Sequence, residues 1–121
     1  MLASTSNQTA QKLHMALEKC DLNMVVSCFN DDCALEVIDQ NHPPSKSLKL
    51  NGKKAISEYY KDIFGRQMTH RIDQEIVGDG QIAFTESCQY PDGTRVVAAE
   101  VFELSADGKI NRQTNVQAWD A

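Results

Sequence analysis

Residues 81–104 read QIAFTESCQYPDGTRVVAAEVFEL. Apolar and β-branched residues are frequent in both halves of this stretch, and Pro91-Asp92-Gly93 separates the halves. An Asp-Gly pair between two strand-like runs is among the strongest short-range signals for a β-hairpin. The stretch therefore predicts two antiparallel strands, at about residues 81–90 and 94–104.

The hairpin turn also predicts which residues of the two strands face each other. If Asp92 and Gly93 form a two-residue turn, the pairs are Thr85 with Glu100, Ser87 with Ala98, and Ala83 with Phe102. Side chains alternate between the two faces of a sheet, so residues two apart on one strand share a face. All six paired residues are therefore expected on the same face.

Two further strands flank the hairpin along the chain. His70, Ile72, Gln74 and Ile76 alternate with mainly charged residues, which predicts a strand with a mostly apolar face and His70 at its start. A second Asp-Gly pair, Asp107-Gly108, precedes a last strand from residue 109 to about residue 119. Tight turns join these strands, so we expect a four-stranded antiparallel meander.

The first half of the chain predicts helices and one strand. The predicted elements are a helix over residues 6–20, a second helix after the capping residue Asp21, a strand over residues 33–39, and a helix from Lys53 to Phe64 ended by Gly65. Pro43-Pro44 predicts a loop over residues 40–50, a candidate lid. Helices that precede an antiparallel sheet pack together on one side of it, so the predicted fold class is α+β.

Composition limits the size and the partners of the protein. A length of 121 residues suits one domain, which we expect to span residues 1–121 with residues 1–6 flexible. A net charge of −5, without clusters of Lys and Arg, argues against nucleic acid as a partner. No apolar run is long enough to span a bilayer, and the first ten residues do not resemble a signal peptide. We therefore expect a cytoplasmic protein that does not bind membranes.

The cysteines and histidines give no sign of a disulfide framework or a metal site. The four cysteines are Cys20, Cys28, Cys33 and Cys88, and the three histidines are His14, His42 and His70. Without an export signal, free thiols are the better interpretation of the cysteines. No CxxC or HxxxH spacing occurs, so no metal ligands are predicted. The expectation is a protein without a metal or another cofactor.

The order of elements and four short segments carry a resemblance to a known superfamily. The segments are Asp21-Leu22, residues 29–34 (FNDDCA), residues 50–56 (LNGKKAI) and residues 108–110 (GKI). In this order and spacing they resemble the nuclear transport factor 2-like superfamily, which includes ketosteroid isomerases, SnoaL-type polyketide cyclases and limonene epoxide hydrolase. The resemblance covers residues 8–120 and implies a cystatin-like, cone-shaped α+β barrel around a small-molecule pocket. The same superfamily hosts different chemistries, so individual residues must indicate the function.

The resemblance to ketosteroid isomerases implies an aspartate base, a tyrosine and a protonated aspartic acid, and this sequence keeps only part of that set. Val37 stands where the base is expected, with Asp39 two residues further on the same face. Leu13 stands in place of the tyrosine. Glu100 stands at the position of the acidic hydrogen-bond donor. Steroid isomerisation with the family's machinery is therefore not predicted.

Glu100 is the leading candidate for a catalytic group. It interrupts the apolar run from Val96 to Phe102, where an ionised carboxylate is costly unless it is paired. Burial raises the pKa of such a carboxyl group and makes it a general acid or base, or a hydrogen-bond donor to an oxyanion. The alternative is an exposed Glu100 paired with a lysine or arginine.

His70 and Asp39 complete the candidate catalytic set. The near-neutral pKa typical of histidine suits His70 to proton transfer if it faces the same cavity as Glu100. The alternative is a histidine that is merely hydrogen-bonded at a strand end. Asp39 is the second candidate carboxylate, at the rim of the pocket.

The pocket-facing phase that the resemblance implies for the last strand lines the cavity with a row of amides, a wall suited to polar ligands. Gln113, Asn115, Gln117 and Trp119 alternate along this strand, with Trp119 as a stacking surface. The alternative is a row that faces solvent or a dimer partner. Thr85, Ser87 and Tyr59 are the other candidate ligand-binding residues.

Two functions remain open at the level of sequence. The first is a metal-independent isomerase, cyclase, hydrolase or lyase-like enzyme that moves a proton on a small organic molecule. The second is a non-catalytic ligand-binding or association module. In either case the outer face of the sheet is a candidate homodimer interface.

Overall fold

The computed structural model describes the chain from residue 2 to residue 121, with the side chains of residues 5–121. Helices come first and the antiparallel strands follow, as predicted. The elements are α1 Leu2–Glu18, α2 Leu22–Ser27, β1 Phe29–Ile38, a short 3-10 helix Pro44–Lys46, β2 Leu48–Asn51, α3 Lys53–Phe64, β3 Thr69–Gly78, β4 Gln81–Gln89, β5 Arg95–Leu104 and β6 Ile110–Trp119. The α+β fold class is confirmed.

The strands form one six-stranded sheet in the order β2-β1-β6-β5-β4-β3. Neighbouring strands are antiparallel except for β1 and β6, which are parallel. The strands β2 and β3 lie at opposite ends of this order, so the sheet is curved but not closed. Helix α1 packs against β3 and β4, and α3 packs against β1 and β2. The helices thus cover the inner face of the sheet and enclose a cone with it.

The helix signals in the sequence act as expected where a cap defines the boundary. The Asp21 side chain accepts a hydrogen bond of 3.1 Å from the backbone N of Met24 and caps α2. Helix α3 has the predicted bounds, and Gly65 is its C-terminal cap. Helix α1 begins four residues earlier than predicted, at Leu2. Flexibility of residues 1–6 stays a prediction, and residue 1 lies outside the described residues.

The predicted loop over residues 40–50 is shorter than expected, because β2 begins at Leu48. This strand pairs with β1, and Leu48 lies opposite Val37. The half-buried Leu48 and Leu50 alternate with the exposed Lys49, a period-two pattern that Pro43-Pro44 obscured in the sequence. The role of the remaining loop as a lid stays a prediction.

The predicted register of the β4–β5 hairpin is wrong by one residue. Thr85 lies opposite Ala99, and Phe84 lies opposite Glu100. The turn contains three residues instead of two, since Tyr90 N donates to Thr94 O at 2.9 Å and Gly93 has a φ of +93°. A one-residue shift moves every side chain of one strand to the other face of the sheet.

The alternation predicted for β3 also fails beyond its midpoint. His70 and Ile72 are buried as expected, but the register with β4 shifts between Ile72 and Gln74. This bulge turns Ile76 outward, where 74% of its surface is exposed. The predicted apolar face is therefore correct only for the first half of the strand.

The core lies between the helices and the inner face of the sheet. Leu13, Leu17, Phe29, Ile56 and Phe102 are among its fully buried members. Leu13 thus fills a core position, in place of the tyrosine that the resemblance to ketosteroid isomerases implied. No helix in the described part of the chain is long and apolar enough to cross a membrane.

Candidate functional site

A cavity of about 40 Å³ lies between α3 and the inner face of the sheet. Its apolar side includes Leu17, Phe64, Met68 and Trp119, and its polar side consists of His70, Glu86, Cys88, Glu100 and Asn115. A space of this size holds one or two water molecules, which need polar partners to stay. The polar side of the cavity supplies such partners.

Pairing of β3 with β4 assembles the first polar cluster. His70 lies opposite Cys88, and Glu86 precedes Cys88 by two residues on the same face. The Nδ1 atom of His70 lies 2.8 Å from Oε2 of Glu86 and 3.3 Å from Sγ of Cys88. The side chains of His70 and Glu86 are 2% and 7% exposed, so this pair is shielded from water.

Strand β5 adds Glu100 to the cluster from the other side. Glu100 is 1% exposed, and its carboxyl group is within hydrogen-bonding reach of Glu86. Its Oε1 accepts a hydrogen bond of 2.9 Å from Nε2 of Gln113. The hydroxyl of Tyr60 donates to Oε1 of Gln113 at 3.0 Å. A continuous buried chain of polar groups therefore runs from α3 to β3.

The two buried carboxyl groups have opposite pKa shifts. Burial and the nearby charge of Glu86 raise the pKa of Glu100 well above its ordinary range. Burial also works to raise the pKa of Glu86, but hydrogen bonds from Glu100 and His70 hold it below its ordinary range. Burial and the Glu86 charge raise the pKa of the Cys88 thiol. The consistent assignment is an ionised Glu86, a protonated Glu100 and a protonated Cys88.

This assignment determines the roles of the hydrogen-bonding atoms around Glu86. As a carboxylate, Glu86 accepts hydrogen bonds from Glu100, from Cys88 and from Nδ1–H of His70. Because Nδ1 of His70 then carries the ring proton, Nε2 is left with a lone pair. Nε2 is buried and has no hydrogen-bond partner among the described residues. A carboxylate that orients an imidazole in this way leaves Nε2 available as a base.

Two other buried oxygens on the cavity side have no hydrogen-bond partner within the described chain. The first is Oε2 of Glu100, as long as Glu86 and Glu100 are both ionised, and the second is Oδ1 of Asn115. A proton on Glu100 resolves the first, because the acid then donates to Glu86. Orphaned buried polar atoms are rare in native structures and are concentrated at functional sites. The cavity therefore presents unused hydrogen-bonding capacity to whatever enters it.

The last strand has the predicted inward phase. Gln113 and Asn115 are buried, while Gln117 and Trp119 are half-buried at the open end. Gln117 donates to the hydroxyl of Tyr59 at 3.3 Å and accepts from Nε1 of Trp119 at 3.0 Å. Tyr59 thus forms part of the wall behind the amides. Ligand binding by these residues stays a prediction.

Three other sequence-based candidates lie apart from the cavity. Asp39 accepts hydrogen bonds from the backbone N of Asn41 and, at 2.9 Å, pairs with Nδ1 of His42 at the end of β1. The corrected register places Thr85 and Ser87 on the outer face of the sheet, and Ser87 donates to Asp73 there. The expectation that Thr85 and Ser87 face Glu100 is wrong.

Glu86 and Cys88 are the site residues that sequence reasoning missed. The predicted two-residue turn implied that both side chains point to the outer face of the sheet. The signal that could have found them is Pro91, which has no N–H to donate to a partner strand and so belongs to the loop. A loop of three residues, closed by Tyr90 and Thr94, turns Glu86 and Cys88 inward. Together with His70 they also form the one group of potential metal ligands found in the described chain, with ligand atoms within 4.8 Å of one another.

Comparisons with known proteins agree with this architecture. The family model described as SnoaL-like domain matches residues 10–113. Comparison with curated proteins gives no match. A nuclear transport factor 2-like protein of unknown function from Mesorhizobium loti is 12% identical, with a TM-score of 0.85 over 98% of this chain and 94% of that one.

Two similar structures have descriptions that mention an activity. A provisional ketosteroid isomerase from Kribbella flavida is 15% identical, with a TM-score of 0.80 over 98% of this chain and 80% of that one. SalBIII, an epoxide hydrolase/cyclase-like enzyme in pyran ring formation in the polyether salinomycin, is 18% identical, with a TM-score of 0.73 over 97% of this chain and 92% of that one. At these identities the likeness shows a shared fold.

Proposed function

The chain belongs to the SnoaL-like domain family, and on that premise we propose a cofactor-independent enzyme that transfers protons on a small organic molecule. The reaction classes that fit are isomerisation, cyclisation and hydrolysis. One observation carries the proposal: a buried carboxylate, Glu86, lies between a base, His70, and an acid, Glu100, at the wall of one cavity. A candidate acid and a candidate base thus line one cavity.

In this proposal His70 is the general base and Glu100 is the general acid. Nε2 of His70 takes a proton from the substrate or from an attacking water, and Glu86 stabilises the imidazolium that forms. Glu100 donates its proton, or a hydrogen bond, to the oxygen on which negative charge develops. Gln113 and Tyr60 hold Glu100 in position through their hydrogen bonds.

The lining of the cavity favours a neutral, partly apolar substrate. Arg66 is the one Lys or Arg among the lining residues, and it is exposed at the mouth and paired with Asp62. An anionic group deep in the cavity would meet Glu86 without a compensating cation. Trp119 packs against Tyr90 with ring centroids 5.8 Å apart and ring planes tilted by 36°, and Trp119 gives a planar substrate an aromatic contact in the cavity.

The size of the cavity requires side chains at the mouth to move when a substrate enters. A volume of about 40 Å³ holds water but not an organic ring. Phe64, Met68 and Trp119 line the cavity and are only half-buried, so they are the side chains most free to open it. Asp39 has no part in the proposed chemistry, because its carboxylate already pairs with His42.

The test compares Glu100→Gln with the control Glu103→Gln, an exposed glutamate on the same strand. Enolisable ketones are screened for incorporation of solvent deuterium, and epoxides for incorporation of labelled oxygen from water. On any substrate found, Glu100→Gln is expected to lower kcat at least about 100-fold, the usual minimum for a general acid. Unchanged turnover in Glu100→Gln would reject the assigned role. The control is expected to match the wild type.

A second candidate function, as a non-catalytic association module, is favoured by the outer face of the sheet. Val97, Val101, Val116 and Ile76 are large hydrophobic residues with 44%, 50%, 44% and 74% of their surfaces exposed. Exposed apolar patches of this kind mark protein contacts. We propose a homodimer through this face, for which Val101→Asp is expected to give a monomer in sedimentation experiments. A wild type that is monomeric at all concentrations would contradict it.

The place of action is also part of the proposal. We propose that the protein acts in the cytoplasm. Fractionation of cells that produce a tagged chain tests this location, and recovery in the membrane or secreted fraction would contradict it.

A further inference from the structure

Three side chains at the cavity combine the ligand types that bind zinc and related ions. His70 offers an imidazole nitrogen, Cys88 a sulfur and Glu86 a carboxylate oxygen, and all three atoms lie within 4.8 Å of one another. Imidazole, thiolate and carboxylate are the ligands of protein zinc sites, and a site with three protein ligands leaves one position open. We propose that His70, Glu86 and Cys88 form a binding site for a divalent transition-metal ion, with Zn²⁺ as the best fit.

The distances agree with this assignment. A tetrahedral zinc ion places a nitrogen and a sulfur ligand about 3.6 Å apart, and a nitrogen and an oxygen ligand about 3.4 Å apart. The corresponding distances here are 3.3 Å and 2.8 Å. Each ligand atom therefore has to move outward by only a few tenths of an ångström. Small rotations of the three side chains provide such a shift.

The surroundings of the cluster also favour a cation. Two buried carboxyl groups, Glu86 and Glu100, line the same cavity. No lysine or arginine reaches the cluster from the lining of the cavity, where Arg66 is held at the mouth by Asp62 and Tyr90. With three ligands from the chain, the fourth position of a tetrahedral ion is left for water.

The charge balance makes the exchange of a proton for a metal ion feasible in a buried site. The ion binds Cys88 as a thiolate, so the thiol proton of Cys88 is released to solvent when the bond to the ion forms. The ring proton of His70 resides on Nε2, so that Nδ1 can bind the ion. The thiolate and the Glu86 carboxylate together balance the two positive charges of M²⁺, so the bound site carries no net charge.

The inference goes beyond the proposed function, because a bound ion occupies the place of the Nδ1 proton of His70. A metal-bound form has no free base at Nε2 of His70, because Nε2 then carries the ring proton. The proposed enzyme therefore acts in its metal-free form, and zinc is expected to inhibit it. Failure of metal binding leaves the acid–base proposal intact, because that proposal is tested on protein treated with a chelator.

The experiment measures binding of Zn²⁺ and Co²⁺ to the full chain after removal of metals by a chelator. Calorimetry is expected to show one zinc ion per chain, and cobalt is expected to give a thiolate-to-cobalt charge-transfer band in the near ultraviolet. Cys88→Ser is expected to abolish the band and to weaken zinc binding at least about tenfold, since loss of even a supporting partner costs 10–100-fold. Absence of the band in the wild type would overturn the proposal.

The matched control is Cys28→Ser, which removes another buried thiol. Sγ of Cys28 donates to the backbone O of Met24 at 3.4 Å, a bond that a serine hydroxyl can replace. This variant is expected to keep both the cobalt band and the zinc affinity. Loss of the band in Cys28→Ser with its retention in Cys88→Ser would place the thiolate ligand elsewhere and overturn the assignment.

A measurement on the wild type covers the case in which Cys88→Ser does not fold. Alkylation of the four thiols is followed by mass spectrometry with and without Zn²⁺. Zinc is expected to slow the alkylation of Cys88 and to leave that of Cys20, which is also half-buried, unchanged. Equal alkylation of Cys88 in both conditions would reject the site.

Discussion

Each face of the β4–β5 hairpin carries two residues that depart from the usual distribution of polarity. The inner face carries Glu86 and Glu100, both less than 10% exposed. The outer face carries Val97 and Val101, which are 44% and 50% exposed. A domain selected for stability alone would place valines inside and glutamates outside. This difference fits the two proposals made above, a ligand on the inner face and a protein partner on the outer one.

The largest effect expected from this comparison is on stability. Phe102 is fully buried and packs against Phe84 with ring centroids 5.2 Å apart, while its neighbour Val101 points outward. Phe102→Ala is expected to lower the free energy of unfolding by about 3–5 kcal/mol. Val101→Ala is expected to change it by less than about 0.5 kcal/mol. Urea denaturation of dilute, monomeric protein measures both. Similar losses for the two variants would contradict the assignment of inner and outer faces.

The next effect separates the two buried glutamates. A protonated Glu100 resembles glutamine in shape and can be replaced by it, whereas the ionised Glu86 accepts several hydrogen bonds. Glu86→Gln is expected to cost about 1.5–3 kcal/mol, the usual value for hydrogen bonds to a charged group. Glu100→Gln is expected to stay within about 1 kcal/mol of the wild type at neutral pH. A larger loss for Glu100→Gln would show that the proton resides on Glu86.

The pH dependence of stability sharpens the same distinction. Above the ordinary carboxyl pKa of about 4.3, the folded chain keeps a proton on Glu100 that the unfolded chain loses. The folded state then binds more protons, so the free energy of unfolding falls as pH rises, by up to about 1.4 kcal/mol per pH unit, until the folded pKa is passed. The lowered pKa of Glu86 has the opposite effect, because its contribution to the free energy of unfolding is lost as the pH falls.

The measurement is urea denaturation at a series of pH values on chelator-treated protein. In Glu100→Gln, the free energy of unfolding is expected to decline less steeply above pH 5, because no proton is then retained at this position. Curves for wild type and Glu100→Gln that stay parallel from pH 5 to pH 8 would mean that Glu100 titrates normally. The exposed control Glu103→Gln is expected to leave the wild-type slope unchanged.

The sequence predicted the fold because its signals are local. Asp21 caps one helix, Gly65 ends another, and the alternation on the last strand places Gln113 and Asn115 on one face. These signals act within a few residues, so they do not depend on the rest of the structure. The element order and the fold class followed from such signals, whereas the inward phase of the last strand was what the resemblance to the superfamily implied.

The site was predicted only in part, because it depends on pairing between strands. His70 and Glu100 were identified by their own environments in the sequence. Glu86 and Cys88 were missed, because one additional turn residue decides which face of β4 meets the helices. The bulge beyond Ile72 is likewise set by the partner strand. Spacing along the chain also cannot reveal a ligand set whose members, such as His70 and Cys88, come together only across two strands.

The smallest expected effect concerns the turn that produces this register. Gly93 has a φ of +93°, and a Cβ atom added there would meet nothing within 4 Å. Gly93→Ala therefore adds backbone strain without a steric clash, at a cost of about 1 kcal/mol. The three-residue loop is still closed by Tyr90 and Thr94, so the inner face is expected to keep Glu86 and Glu100. Cross-strand amide contacts in NMR spectra report the register, and contacts that pair Thr85 with Glu100 in this variant would show that the glycine, not burial of the inner face, sets it.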